Sequence, residues 1–208
     1  MSDKAKAVRE HKTWASIPKG SKLPYPVWNK GNAVAVLSPD AERRYNVTRL
    51  SMGAHVQTGL VAAASVAEYD ANRIRRHELT RPDKEADRVR QIDALNAQTG
   101  PVLLAYPDAP QVDEILAQAS AGVPEADVAA EGGVRHTIWS IRDGDAIARL
   151  TRAFDAMPAL YIADGHHRSA AASRVAAARR AANAKHSGDE GYNYFLTVAF
   201  PHHQLRIL

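Results

Sequence analysis

The sequence predicts an α/β protein in which helices flank a mixed β-sheet. Short apolar stretches rich in strand-forming residues recur between longer stretches with helical periodicity. One of the last predicted strands runs through a glycine turn into an alanine-rich helix. The chain has 208 residues, of which 45% are hydrophobic and 24% charged. Such a composition is typical of a globular protein with one good core or two small ones.

Several classes of protein are excluded by composition. No apolar run approaches the roughly 18 residues that a membrane span requires. The N-terminus is basic but lacks the apolar core of a secretory signal. The chain has no cysteine, which excludes a disulfide framework and thiol chemistry. A cytoplasmic location is therefore expected.

The net charge of +4 belongs to the N-terminal part of the chain. Residues 1–50 hold ten Lys and Arg against four Asp and Glu, whereas residues 51–208 hold seventeen against nineteen. Residues 1–40 are also rich in proline and glycine, which predicts a basic, poorly ordered leader before a folded domain at 41–208. Without a basic stripe in residues 51–208, nucleic acid is not an expected partner.

The first predicted unit of the folded domain is a β-hairpin. Residues 45–50 alternate between apolar and polar side chains, and residues 58–69 are small and β-branched. Gly53 marks the turn between them. A helix follows the polar segment 77–80, because Thr80 can cap it and apolar residues then recur on one face.

The second half of the chain alternates between predicted strands and helices. In order, these are a strand at 101–106, a helix at 112–119, a long connection, a strand at 137–141, a helix at 145–156, a strand at 159–163, a helix at 169–182 and a strand at 194–200. Residues 205–208 are a predicted hairpin partner of the last strand. The chain ends inside this apolar run, so we expect a domain that is incomplete at its C-terminus.

The segment Asp164-Gly165-His166-His167-Arg168 lies between a predicted buried strand and a predicted helix. Glycine allows the bend, and the first amides of the helix then point at whatever occupies the turn. The helix dipole favours an anion there, with Arg168, His166 and His167 as donors. A nucleotide polyphosphate is the predicted ligand; the alternative is a structural turn that binds nothing. Adjacent histidines at a helix start point about 100° apart, so no metal site is predicted.

A second polar cluster lies at the start of the helix after residue 80. His77, Glu78 and Thr80 stand where a predicted strand leads into that helix. Glu78 and Thr80 could merely cap the helix. The order of the segments favours a functional interpretation, since an H-E-x-T segment, a helix, a P-V strand and a strand ending in D-G-H-H-R follow one another.

This order resembles the ParB/sulfiredoxin superfamily, and more closely the DUF1015 family, which is related to free-serine kinases. The resemblance covers about residues 45–208 and implies a ParB/sulfiredoxin-like nucleotide-binding core. It further implies that residues 164–168, together with His77 and Thr80, bind ATP or ADP. By the same resemblance Glu78 would be the catalytic base, and Mg²⁺ would bridge the phosphates.

Three hypotheses about function are open. The first is a kinase that transfers phosphate from ATP or ADP to a small hydroxyl compound such as free serine. The second is a non-catalytic, nucleotide-responsive module like the ParB relatives, and the third is an inactive, truncated fragment. In the first case Asp164 could hold the metal or orient His166, and both roles are compatible with a carboxylate at that position.

Overall fold

The computed structural model describes residues 45–206, and the predicted leader 1–40 lies outside them, as do 41–44 and 207–208. The described residues form a mixed α/β fold, which confirms the predicted class. Their strands are β1 Tyr45–Met52, β2 His55–Ser65, β3 Ile74–Arg75, β4 Val102–Tyr106, β5 Ala126–Ala129, β6 Val134–Ile141, β7 Leu160–Asp164 and β8 Tyr194–Pro201. Their helices are α1 Val66–Asp70, α2 Pro82–Leu95, α3 Pro110–Ala119, α4 Gly144–Asp155 and α5 His166–Ala182. Across this part of the chain, no helix is long and apolar enough to span a bilayer.

All eight strands of the described part join one mixed sheet, in the order β3-β7-β4-β8-β2-β1-β6-β5. β3 pairs with β7 in parallel and β4 with β8 in parallel; the other neighbours are antiparallel. The main core includes Leu104 and Phe195 from the sheet, and Leu116, Leu150 and Ala172 from three helices. These three helices therefore pack their apolar residues against the sheet.

The strand register explains how distant polar segments meet. Ile74 of β3 lies opposite Leu160 of β7, so the chain leaves both strands at the same edge of the sheet. β4 runs antiparallel to β7, with Leu103 opposite Asp164. The start of β4 therefore lies at that edge as well. We call this edge, where β3 and β7 end and β4 begins, the site edge.

The side chain of Arg73 positions the start of β3. Its guanidinium donates to the carbonyl oxygens of Phe154 and Asp155 at 3.0 and 2.7 Å, at the end of α4. It also forms an ion pair with Glu68 of α1 at 2.9 Å. A cation at a helix C-terminus satisfies carbonyl groups that have no partner within the helix. Arg73 thus links α1 and α4 immediately before the strand that leads to the site edge.

Gly59 of β2 lies unusually close to β8. A Cβ atom at this position would lie 2.5 Å from the carbonyl oxygen of Ala199 and 2.6 Å from the ring of Phe200. Such distances are well below van der Waals contact. Only glycine therefore fits between these two strands without displacing backbone.

The hairpin is confirmed, but its second strand is shorter than predicted. β2 ends at Ser65, and Val66 to Tyr69 begin a short helix instead of continuing the strand. Ser65 is the N-cap of that helix, and its hydroxyl accepts a hydrogen bond from the amide of Glu68 at 3.4 Å. The S-x-x-E pattern is that of a capping box, and it outweighs the local strand propensity.

Two helix boundaries also differ from the prediction. Arg81, not Thr80, is the N-cap of α2, and it provides no side-chain cap. The hydroxyl of Thr80 donates to the carboxylate of Glu85 instead. α5 begins at His166 instead of Ser169, so the histidines of the glycine turn are themselves helical.

At the C-terminal end, the predicted hairpin partner is not formed by the residues that the structure describes. β8 is followed by a 3₁₀ turn at His202–Gln204, and Leu205 and Arg206 lie outside any strand. The side chain of Gln204 accepts a hydrogen bond from the amide of Thr58 at 2.7 Å, which directs the chain back over β2. Residues 207 and 208 lie outside the described range.

Candidate functional site

Both predicted polar segments lie at the site edge. Residues 77–80 follow β3. Asp164 is the last residue of β7, and residues 165–168 follow it. Glu78 approaches His166 to 3.4 Å, and the amide of Arg81, the residue after the first segment, donates to Nε2 of His167 at 3.1 Å. The parallel pairing of β3 and β7 thus brings together segments that are about ninety residues apart in sequence.

The N-terminus of α5 presents backbone donors at this edge. Gly165 is the N-cap, with φ of +98°, and it has no side chain to cap the helix. Its carbonyl accepts from the amides of Arg168 and Ser169 at 2.9 and 3.0 Å. Within the described residues, the amides of His166 and His167 have no acceptor, as is usual for the first turn of an uncapped helix. Together with the helix dipole, these amides favour an anion.

Arg168 connects the glycine turn to the start of β4. Its guanidinium donates to the carbonyl oxygen of Pro101 and to the carboxylate of Asp164, the latter at 3.3 Å. Its side chain is 36% exposed. Since a guanidinium carries five N–H donors, some remain available beyond these two contacts. The carboxylate of Asp164 is engaged by Arg168 rather than by the ring of His166.

His166 is the most buried polar side chain of the turn, with 3% of its surface exposed. Its Nδ1 atom lies 3.4 Å from Oε2 of Glu78. The ring of His77 packs edge-on against it, with centroids 4.5 Å apart and planes at 86°. Nε2 of His166 is buried and has no hydrogen-bond partner within the described part of the chain. Glu78, by contrast, has 59% of its side chain exposed.

Burial lowers the pKa of His166 below its ordinary value of 6.5. His77 lowers this pKa further, whereas Glu78 and Asp164 raise it by favouring a positive charge, and the smaller effect of His167 is again to lower it. Desolvation is the largest of these effects, so the neutral imidazole is the favoured form at neutral pH.

Thr80 is a predicted site residue whose hydroxyl is engaged by α2. Its hydroxyl is bonded to Glu85, whose carboxylate also lies 3.4 Å from Arg174 of α5. Thr80 therefore contributes to the contact between α2 and α5. The structure adds two groups that the sequence did not indicate, the amide of Arg81 and the carbonyl of Pro101. Both are backbone groups, which residue type does not reveal.

No group of three or more metal-ligating side chains that could hold an ion occurs among residues 45–206. Mg²⁺ is often held through one or two carboxylates and the phosphates of its nucleotide, with water completing its shell. The site edge is thus compatible with a metal that enters with its nucleotide, and less so with a metal that the protein holds by itself.

The family comparison adds to this geometry. A family model described as "Protein of unknown function (DUF1015)" matches residues 28–208. The chain belongs to the DUF1015 family. No curated protein and no solved structure matches the chain significantly. The match confirms the family resemblance and extends it from residue 45 back to residue 28. In this DUF1015 protein the matched range includes both polar segments of the site edge.

Gly165→Ala is expected to destabilise the glycine turn. An alanine at φ of +98° is strained, and its Cβ would lie 3.1 Å from Nη1 of Arg168 and 3.2 Å from Cα of Val102. The matched control is Gly188→Ala, with φ of +102° and open space around the added atom. We expect the control to lose about 1–2 kcal/mol of unfolding free energy in urea titrations, and Gly165→Ala to lose more. Equal losses would mean that Arg168 and β4 accommodate the methyl group.

Proposed function

We propose that this DUF1015 protein has a ParB/sulfiredoxin-like core that binds ATP or ADP, with the terminal phosphates at the N-terminus of α5. We further propose that it transfers a phosphoryl group to a small hydroxyl compound, with free serine as the first acceptor to test. The observation that carries the proposal is the contact between Glu78 and His166 at the uncapped start of α5. An exposed carboxylate therefore lies beside a helix end whose first amides favour an anion. The cytoplasm remains the expected location.

The donor groups at the site edge suit a polyphosphate. The free amides of His166 and His167 and the remaining N–H groups of Arg168 are of the type that cradles phosphate oxygens. Phosphoryl transfer requires positioning and charge neutralisation more than covalent participation of the protein. Mg²⁺, when bound with the nucleotide, would neutralise part of the phosphate charge.

Glu78 suits the role of general base. Its side chain is mostly exposed, so a hydroxyl compound can approach the carboxylate, while one of its oxygens faces His166. A carboxylate within hydrogen-bonding reach of the acceptor hydroxyl can take up its proton as the oxygen attacks phosphorus. The exposed His77 precedes it and packs on His166, which places both histidines beside the base.

The test is calorimetric titration of the chain with ATP and with ADP, each in the presence of Mg²⁺. Arg168→Ala is expected to weaken nucleotide affinity about 10- to 100-fold, because a charge-assisted hydrogen bond to phosphate contributes about 1.5–3 kcal/mol. Arg180→Ala is the matched control, since it removes an arginine about 18 Å further along the same helix, where it contacts Asn193.

Melting temperatures of both variants without nucleotide separate binding from folding, because Arg168 also holds Pro101. A folded Arg168→Ala variant with unchanged affinity would contradict the phosphate site. Nucleotide binding without turnover of serine or any other hydroxyl compound would support the non-catalytic module instead. No binding by the cooperatively folded chain would leave an inactive fragment as the better interpretation.

A further inference from the structure

The geometry around His166 favours one of its two neutral tautomers. A neutral imidazole has one N–H donor and one lone-pair acceptor. Nδ1 faces Oε2 of Glu78 at 3.4 Å, whereas Nε2 is buried without a partner within the described residues. A proton on Nδ1 gives the carboxylate a donor. A proton on Nε2 would bury an unsatisfied N–H group and leave a lone pair facing the carboxylate, which costs more.

The surroundings favour a neutral ring and restrict its rotation. The titratable groups that face His166 are His77 and Glu78 from the segment after β3, Asp164 from β7, and His167 from its own helix. The edge-on ring of His77 limits rotation of the imidazole. The backbone carbonyl of His166 accepts from the fully buried hydroxyl of Ser169 at 3.0 Å, within the first turn of α5. Both the ring and its backbone are therefore held in place.

We propose that His166 is the positioning residue of the base, and that its Nδ1–H holds Oε2 of Glu78 while the other carboxylate oxygen faces the acceptor hydroxyl. The catalytic part of this inference rests on the proposed function. In the transfer, the hydroxyl proton moves to Glu78, the hydroxyl oxygen forms a bond to the terminal phosphorus, and the phosphoanhydride bond breaks with its electrons on the departing nucleotide. His166 keeps its Nδ1 proton throughout.

The first test does not require activity. Long-range ¹H–¹⁵N spectra of the histidine rings distinguish the two neutral tautomers. We expect His166 to carry its proton on Nδ1 at neutral pH, and this proton to exchange slowly with water. In Glu78→Ala the Nδ1 proton should exchange much faster, because its acceptor is gone. His203, whose Nδ1 lies 2.6 Å from Asp108, serves as an internal control that the variant leaves unchanged. A wild-type His166 protonated on Nε2 would overturn the proposal.

The second test uses turnover and a conservative rescue. His166→Leu keeps an apolar side chain of similar size but removes the donor, whereas His166→Asn retains an N–H near the position of Nδ1. We expect His166→Leu to lower kcat about 10- to 100-fold with little change in nucleotide KM, and His166→Asn to recover most of the loss. Equal losses in both variants would show that packing, not the donor, matters.

The two tests separate this inference from the proposed function. If the wild-type chain transfers no phosphate, the proposed kinase activity fails and the turnover test no longer applies. The tautomer of His166 still decides whether His166 holds Glu78. If the chain is active and His166 is protonated on Nε2, the kinase proposal survives and the positioning role fails. If either His166 variant does not fold, the tautomer measurement on the wild type and Glu78→Ala remains decisive, since Glu78 is exposed.

Discussion

Glu78→Gln is expected to lower kcat for phosphoryl transfer about 10²- to 10⁴-fold, because glutamine cannot accept the proton of the attacking hydroxyl. Glutamine matches glutamate in size and can still accept a hydrogen bond from His166, so the segment after β3 should keep its position. Nucleotide affinity should change little, since the proposed phosphate donors lie on α5 and not on Glu78. The assay follows product formation with serine as acceptor and ATP or ADP as donor.

The matched control for this variant is Glu114→Gln. Glu114 is an exposed glutamate of α3, a helix that contributes none of the proposed site residues, and its carboxylate accepts a hydrogen bond from Gln118 of the same helix at 3.1 Å. Glu114→Gln should leave kcat unchanged. A Glu78→Gln variant with wild-type kcat would refute the role of Glu78 as base. A variant that instead loses nucleotide affinity would place Glu78 in binding.

Gly59→Ala is expected to reduce the free energy of unfolding by about 3 kcal/mol or to prevent folding, because the added methyl group overlaps backbone. The obstruction is the carbonyl of Ala199 at 2.5 Å, which cannot rotate away as a flexible side chain could. Relief requires separation of β2 from β8 near the centre of the sheet. Urea denaturation followed by circular dichroism measures the change.

Gly144→Ala is the comparison for this stability measurement. Gly144 is the first residue of α4, and a Cβ atom there would meet nothing within 4 Å. Alanine also suits a helix better than glycine does, so stability should stay the same or rise slightly. If Gly59→Ala were as stable as Gly144→Ala, the close approach of β2 and β8 would not exist in solution.

Elements with strong local patterns were predictable from the sequence. The first hairpin, the strand at β7 and the helices α3 and α4 lie within a few residues of their predicted bounds. β5 was missed, because its sequence Ala126–Ala129 is short and contains a single valine as its only large apolar residue. Its pairing depends on β6, where Arg135 forms an ion pair with Asp127 at 2.5 Å. Such a strand is stabilised by its neighbour and not by its own composition.

The same distinction applies to the site. Asp164, Gly165 and the residues that follow could be placed at a helix start because glycine and the apolar strand mark the turn. That Glu78 lies against His166 could not be deduced from local patterns, because it depends on the two-residue pairing of β3 with β7. The prediction that Thr80 caps α2 was wrong, because the carboxylate of Glu85, five residues further along the chain, competes for its hydroxyl.

β3 is an edge strand of the sheet that residues 45–206 form, and this position affects the behaviour of the protein at high concentration. An edge strand with free backbone groups can recruit a strand from another molecule and start aggregation. β3 is only two residues long; Arg75 is its second residue, and Arg73 and Arg76 flank it. So short and so cationic an edge is a poor template for intermolecular pairing. The segment that carries Glu78 can therefore follow an edge strand without that strand promoting aggregation.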